Sequence, residues 1–348
     1  MAKTSSKQDS NGGQAKATIF DVAERAGVSI KTVSRVVNRE PNVRDKTREK
    51  VEAAIAELDY RPNAAARGLS SHRSYIVGLI YENPDEFSYM KGVLNGAIDA
   101  CEKAGYTLIL RPVAVAQNKQ LAVQVKQFIE EASIGGVVLP APLGDLSVVL
   151  DVLRDADIPF ATIAPIEDQM DAISVQSDDE EATASLTQYL IDKGHKDIGF
   201  IKGHPDHAAT AKRLAGYKHA LKANGIRFSP KNVRQGYFDF KSGRSAAAKL
   251  LDSDSTPTAI IASNDDMAAG VIFEARERGL EIPGELAIVG FDDTHVASHM
   301  WPRLTTVRQP IEQMANVATR LLIDKLAGKD AASPARPFGC EVIIRDSA

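Results

Sequence analysis

TIFDVAERAGVSIKTVSRVVNREPNVRDKTREKVEAAIAELDYRPNAAARGL, residues 18–69, is the stretch whose reading decides the rest of the chain. Its core predicts two short helices, Asp21 to Ala26 and Ile30 to Asn38, joined by a tight turn at Gly27, Val28 and Ser29. Glycine after a helix can take a positive φ without a Cβ penalty. Ser29 can cap the second helix by accepting an amide N–H of its first turn. Val22, Ala23, Ala26, Val28, Val33 and Val37 are the apolar set expected to pack the helices together. Lys31, Thr32, Ser34, Arg35 and Asn38 are left on the outer face of the second helix. A short helix with cations and hydrogen-bonding groups outward is what a major-groove reader needs.

The segment closely resembles the DNA-binding head of the lactose-repressor/galactose-repressor family of bacterial transcription regulators. The likeness rests on the helix-turn-helix, a third helix near Asp45 to Leu58, and the following DYRPN leading into AAARGL. It continues through the rest of the chain beyond the first 17 residues, which are Ser-, Gly-, Gln- and Lys-rich and read as a disordered tail. The expected domains are that tail (1–17), a helix-turn-helix domain (18–60), a hinge helix and linker (61–74), and an effector-binding and dimerisation domain (75–348).

Within the head, Ile30, Lys31 and Arg35 are the expected base contacts. A cation can donate to guanine O6/N7, and Ile30 can meet a thymine methyl. Thr18, Ser29, Thr32 and Asn38 are expected to hold phosphates and set the register. The resemblance implies that Leu69, in a hinge helix of barely two turns, wedges into the minor groove of a pseudo-palindromic operator bound by a homodimer. Two departures stand out. Arg44 occupies the place of the usual Ser or Thr cap before the third helix. Gly68 lowers the hinge helix's intrinsic stability by about 1 kcal/mol relative to Ala.

Charge is divided along the chain. Residues 1–74 carry 14 basic and 9 acidic side chains, a balance of +5; the remainder carries 42−14 = 28 against 46−9 = 37, a balance of −9. A basic head on an acidic body suits a protein that meets nucleic acid at one end. No apolar run approaches the roughly 20 residues of a membrane span, and no secretory signal opens the chain. Cys101 and Cys340 read as reduced thiols, which fits a cytoplasmic protein. No Cys/His cluster has metal-site spacing, and no cofactor is expected.

From Tyr75 onward, short apolar runs alternate with helix-length segments: YIVGLIY, YTLILRP, IGGVVLP, PFATIAP and AISVQ, then DIGFIKG, VRQGYF, AIIASN and LAIVGF. This pattern predicts parallel sheets covered on both faces, in two half-units with a cleft between them. The expected architecture is a small all-α head plus an α/β bilobed, periplasmic-binding-protein-like effector domain. The resemblance implies three crossovers between the lobes. The last strand, Glu341 to Arg345, is expected to return to the first lobe.

Ligands in such folds bind beyond the carboxyl ends of the strands. Arg213, Asn264 and Asp292 stand at helix starts or strand ends of the second lobe, and together can donate to and accept from vicinal hydroxyls. The resemblance places effector contacts at these positions and an aromatic at Phe238. It also draws the first-lobe wall from Asn83 to Tyr89, with Phe87 and Tyr89 as its members. His207 completes the expected effector set. The acid–amide–guanidinium group favours a neutral sugar over a purine and leaves a sugar phosphate or amino sugar open.

The best reading is a sugar-responsive, DNA-binding repressor of sugar-utilisation genes, and not an enzyme. The rivals are a sugar-binding transport protein, an α/β enzyme acting on sugars, and a regulator whose partner is a protein. The enzyme reading lacks a nucleophile with its base or a phosphate loop. His195 reads as a helix C-cap, and Asp178-Asp179-Glu180-Glu181 as a helix start.

Overall fold

The computed structural model describes residues 17–37, 43–60, 74–82, 88–115, 118–253 and 256–348. They fall into two compact units, within residues 1–73 and 74–348.

The smaller unit holds α1 (Ile19–Ala26), α2 (Ile30–Val37) and α3 (Asp45–Glu57). Val22, Ala23, Val33, Val36, Val51 and Ala54 form its core. Val36 is buried where the sequence pattern favoured Val37, which packs against the core from its edge. The first helix starts at Ile19, two residues before the expected Asp21. Thr18 explains this: its N–H and its hydroxyl each donate to the Asp21 carboxylate over 2.7 Å, closing the first turn from outside. Gly27 follows α1 at φ 65°, as a left-handed cap requires. Ser29 Oγ accepts from Thr32 N over 3.2 Å and caps α2. Arg44 precedes α3 without a side-chain cap, and Asp45 supplies a negative charge to its first turn. Asn38 and Leu69, like most of the expected hinge, lie outside the described residues.

The larger unit contains two sheets. The first lobe has β1 (Ile76–Glu82), β2 (Thr107–Val113), β3 (Gly136–Pro140), β4 (Phe160–Ile163) and β5 (Ile173–Val175), all parallel in the order β2-β1-β3-β4-β5. The second has β6 (Ile198–Lys202), β7 (Val233–Gln235), β8 (Ala259–Ala262), β9 (Ala287–Asp292), β10 (Thr305–Arg308) and β11 (Glu341–Ile343), in the order β11-β10-β9-β8-β6-β7. Each lobe is thus doubly wound, with strand order reversing beside its first strand, and such a reversal opens a crevice at the carboxyl ends. In the first lobe, α4 (Ser88–Ala104), α5 (Asn118–Glu131) and α6 (Ser147–Asp155) cover the sheet. In the second, α7 (Asp179–Asp192), α8 (Ala208–Ala223), α9 (Phe240–Leu251) and α10 (Asp265–Glu277) do so, and the short α11 (His295–His299) follows β9.

The last strand corrects the expected topology. Glu341–Ile343 pairs antiparallel with β10 in the second lobe and does not return to the first. A helix makes that return. α12 (Ile311–Leu326) buries Met314, Ala315, Ala318 and Leu322 in the first lobe's core. α4 meets it closely because a Cβ at Gly96 would lie 2.1 Å from the Glu312 carbonyl oxygen. β10 also went unforeseen. Its Thr305 and Thr306 are polar yet fully buried, because Thr305 Oγ1 accepts from Arg345 N and Thr306 Oγ1 donates to Asp265.

Candidate functional site

The two crevices face each other across a cavity of about 320 Å³. Strand ends supply much of its wall: Glu82 from β1, His204 just past β6, Asn264 after β8 and Asp292 closing β9.

Arg213, on α8 and only 3% exposed, organises the second-lobe side. Its Nε donates to Asp179 over 2.8 Å, one terminal nitrogen donates to the Ser263 carbonyl, and the other lies 3.4 Å from Asp292 Oδ1. The guanidinium also stacks 3.6 Å from the centroid of the Phe291 ring. Burial opposes its charge, but Asp179 and Asp292 more than offset that and hold its pKa above the ordinary value. Asp292 responds differently. Burial pushes its carboxyl well above the carboxylate range, and Asp265, Asp179 and Asp266 add to the shift, while Arg213 works against it. Its backbone sits at φ 107°, strained for a residue with a Cβ.

Phe238 is also held at positive φ, 67°. Its ring packs over Gly203, where a Cβ would stand 1.9 Å from the ring. His207 precedes α8 and lies 5.3 Å from Phe238 between ring centroids. Burial, then His204 and Arg213, lowers the His207 pKa to about 4, so this imidazole is neutral at pH 7. Asn264 caps α10 by accepting from Met267 N, and donates to the Phe238 carbonyl, both over 2.9 Å. It therefore positions Phe238 and retains one donor and one lone pair for a ligand. From the first lobe comes Tyr89, whose phenol is raised above its ordinary pKa by burial, then by Asp292 and Asp179, and stays a neutral donor. Phe87 lies outside the described residues.

In the smaller unit, Ile30, Lys31 and Arg35 are exposed on α2, Ile30 at 40%. The Ser29 and Thr32 hydroxyls lie 2.9 Å apart at the start of the same helix. Thr18, expected on a phosphate, has its hydroxyl committed to Asp21. Arg25 and Glu57 pair over 2.6 Å and tie α1 to α3.

Comparison with known proteins matches residues 18–63 to the bacterial regulatory proteins of the lacI family and residues 187–348 to a periplasmic binding protein-like domain. Catabolite control protein A of Priestia megaterium is 38% identical over 306 residues, 88% of this chain and 91% of that protein. The chain belongs to the lacI family. It is therefore a DNA-binding transcriptional regulator rather than an enzyme. Among solved structures, the regulator CelR in complex with cellobiose is 29% identical with a TM-score of 0.73, covering 95% of this chain and 100% of that one. The lac repressor dimer bound to operator and the anti-inducer ONPF is 27% identical with a TM-score of 0.72, covering 95% and 98%.

The pocket of this lacI-family chain thus collects Tyr89, His207, Arg213, Phe238, Asn264 and Asp292, the expected effector set apart from Phe87. Several lining residues escaped the sequence reading: Glu82, His204, Tyr237, Asp266 and Gln309. Glu82 and His204 were findable, since the strand-end logic that selects Asn264 and Asp292 applies equally to β1 and β6. Gln309 was not, because it follows the unforeseen β10. Its Nε2 donates to Ser177 over 2.7 Å, and its Oε1 is a buried acceptor without a hydrogen-bond partner. Asp179 does open a helix as expected, but its carboxylate turns inward to Arg213. Among the described residues no cluster could hold a metal, and no helix is long and apolar enough to cross a membrane.

Proposed function

We propose that this regulator is a cytoplasmic, homodimeric repressor of sugar-utilisation genes, whose affinity for a pseudo-palindromic operator is set by a small sugar-like effector in the interlobe pocket. One observation carries the effector assignment: a guanidinium–carboxyl pair, Arg213 and Asp292, buried at one side of a cavity that also presents the Phe238 ring. Carboxyl and guanidinium groups bond vicinal hydroxyls, and an aromatic face suits the C–H face of a sugar ring. The named ligands of similar proteins, cellobiose for CelR and operator DNA for the lac repressor, are consistent with this reading.

In the head, Ile30, Lys31 and Arg35 read base edges, while Ser29, Thr32 and Asn38 set the register on phosphates. Leu69 serves as the hinge wedge. Ligand alters DNA affinity only through its different affinity for two arrangements of the lobes, and the coupling is reciprocal. The expected sense is induction, with sugar weakening operator binding. Gel shift on the DNA upstream of the regulator's own and neighbouring genes, with and without a panel of sugars, tests it. A specific shift that some sugar relieves is the expected result; a shift no sugar alters removes the effector assignment.

A further inference from the structure

A relay of hydrogen bonds joins the lobes through the loop between β4 and β5, residues 164–172. Asp145, in the turn after β3, ties this loop to the first lobe, since its Oδ1 accepts from Ile166 N over 2.7 Å. Two residues further along the loop, Asp168 Oδ1 accepts from Gln176 Nε2 over 2.6 Å. Gln176 Oε1 in turn accepts from Lys212 Nζ, and Lys212 belongs to α8 of the second lobe. Gln176 lies in the crossover just after β5, where its backbone carbonyl accepts from Phe338 N over 2.8 Å. It is a fixed station between a carboxylate on one lobe and an ammonium on the other.

Asp145 is left incomplete by this arrangement. Its Oδ2 is buried and has no hydrogen-bond partner among the described residues. A buried acceptor without a bond costs more than the same bond contributes when made. Burial raises the Asp145 pKa, against the amides of Ile166 and Glu167 and the attraction of Lys212. Lys212 therefore has two acceptors in its neighbourhood, the neutral amide of Gln176 and the carboxylate of the facing lobe. An ammonium bonds a carboxylate more strongly than an amide, and here the carboxylate is also the acceptor that lacks a bond. A change of partner would move the walls of the effector cavity. Lys212 adjoins Arg213 on α8, which lines one side together with Ala209; Ala141 and Ala164, next to Asp145 and at the start of the loop, line the other.

We propose that Lys212 and Asp145 form a cross-lobe latch. In a second arrangement of the lobes, closed on the side of the β4–β5 loop, Lys212 Nζ leaves Gln176 and donates to Asp145 Oδ2, drawing α8 and its Arg213 toward Ala164. One side chain with two alternative stations makes the hinge bistable, and a ligand shifts it only by binding one arrangement better. This rests on the reading that the lobes have two arrangements and is independent of the effector's chemistry.

A carbodiimide joins an amine to a carboxyl only where the two meet, so it tests the latch on the full-length wild-type chain with no sugar added. Peptide mapping by mass spectrometry is expected to find Lys212 joined to Asp145. Lys103 with Asp99 and Lys329 with Asp324, each pair 2.8 Å apart, are the internal controls. Gln176→Ala takes away the competing acceptor and should raise the yield of the Lys212–Asp145 link about threefold or more. Control links without a link between Lys212 and Asp145 overturn the latch. So does Lys212 joined to Asp168 alone, or a yield that Gln176→Ala leaves unchanged. These results leave the sugar-effector reading standing, and a gel shift that no sugar relieves removes that reading while leaving the latch in place.

Discussion

Ser88 Oγ donates to Asp266 Oδ1 over 3.1 Å, joining the first turn of α4 in one lobe to the first turn of α10 in the other. The carboxylate also meets the positive end of α4, where a negative charge is favoured. Asp266 lines the effector cavity, so this contact and the ligand share one side chain. Ser88→Ala removes the cross-lobe bond and leaves the pocket wall unchanged. Hydrogen bonds to charged groups contribute about 1.5–3 kcal/mol, enough to shift an equilibrium between lobe arrangements about tenfold. The variant is expected to show a larger radius of gyration by small-angle scattering in the free protein, and a sugar-responsive change in that radius. An unchanged radius in both states would mean the bond does not hold the lobes together.

Phe238 depends on the absence of a side chain at Gly203. A Cβ there would stand 1.9 Å from the Phe238 ring, and because Asn264 holds the Phe238 backbone carbonyl, the ring has to yield by rotating its side chain. Gly203→Ala is expected to displace the ring and weaken effector binding by about 1–3 kcal/mol, the usual cost of overpacking. Operator binding in the absence of effector should persist. Calorimetry on the variant checks this, and undiminished sugar affinity would show that Phe238 is not a ligand contact.

How much of this was legible beforehand follows from what each residue's neighbours do. The alternation of apolar runs and helices exposed both lobes, because buried parallel strands such as β3, GVVLP, are apolar throughout. β10 was hidden because TTVR is half polar, and only the partners of Thr305 and Thr306 make it a core strand. The return of α12 to the first lobe is likewise decided by long-range packing against Gly96, which no local pattern reports. Asp292 was visible at a strand end, whereas Arg213, read as standing at a helix start, sits on the second turn of α8, which begins at Ala208. Asp179, the counterion of Arg213, was not visible, since a carboxylate opening a helix looks the same whether it faces water or a guanidinium.

Asp265 gives the fold a pH dependence. It is fully buried and accepts from Thr306 Oγ1 over 2.6 Å and Thr294 N over 2.7 Å. Burial raises its pKa from 3.8 to about 7, against the opposing effect of those hydrogen bonds. Between these two values the folded chain binds the proton that the unfolded chain has lost, so this group's contribution to stability falls as pH rises through that window. A tenfold change in proton affinity on folding corresponds to about 1.4 kcal/mol. Asp265→Asn, neutral at every pH, is expected to flatten this component. Denaturation midpoints at pH 5 and pH 8 should therefore rise relative to wild type more at pH 8. An identical difference at both pH values would show that Asp265 is ionised throughout.

On the head, Arg35 is an exposed cation on the outward face of α2, and Val33 and Val36 beside it fix that face by packing into the core. Arg35→Ala is expected to cost about 1–3 kcal/mol on operator and to relax preference at one base pair per half-site. Binding measured across single-base operator variants and salt concentrations separates the roles. An equal loss on specific and random DNA, with only a shallower salt slope, would make Arg35 a phosphate contact.

Asp292 is the sharpest test of the effector site. Its 3.4 Å separation from Arg213 is long for a charge-assisted bond, which leaves its oxygens available to a ligand hydroxyl. Arg213 keeps Asp179 and the Ser263 carbonyl when Asp292 is removed, so the guanidinium stays anchored. Asp292→Ala is therefore expected to abolish the response to sugar while leaving operator affinity within about tenfold, roughly 1.4 kcal/mol. Alanine is a poor fit at φ 107°, so Asp292→Asn, whose amide tolerates positive φ better, serves as the companion variant. Both should lose sugar affinity if the carboxyl itself bonds the ligand. Only the alanine variant should lose it if backbone shape is what matters. Unchanged sugar affinity in both would place the effector site away from Asp292.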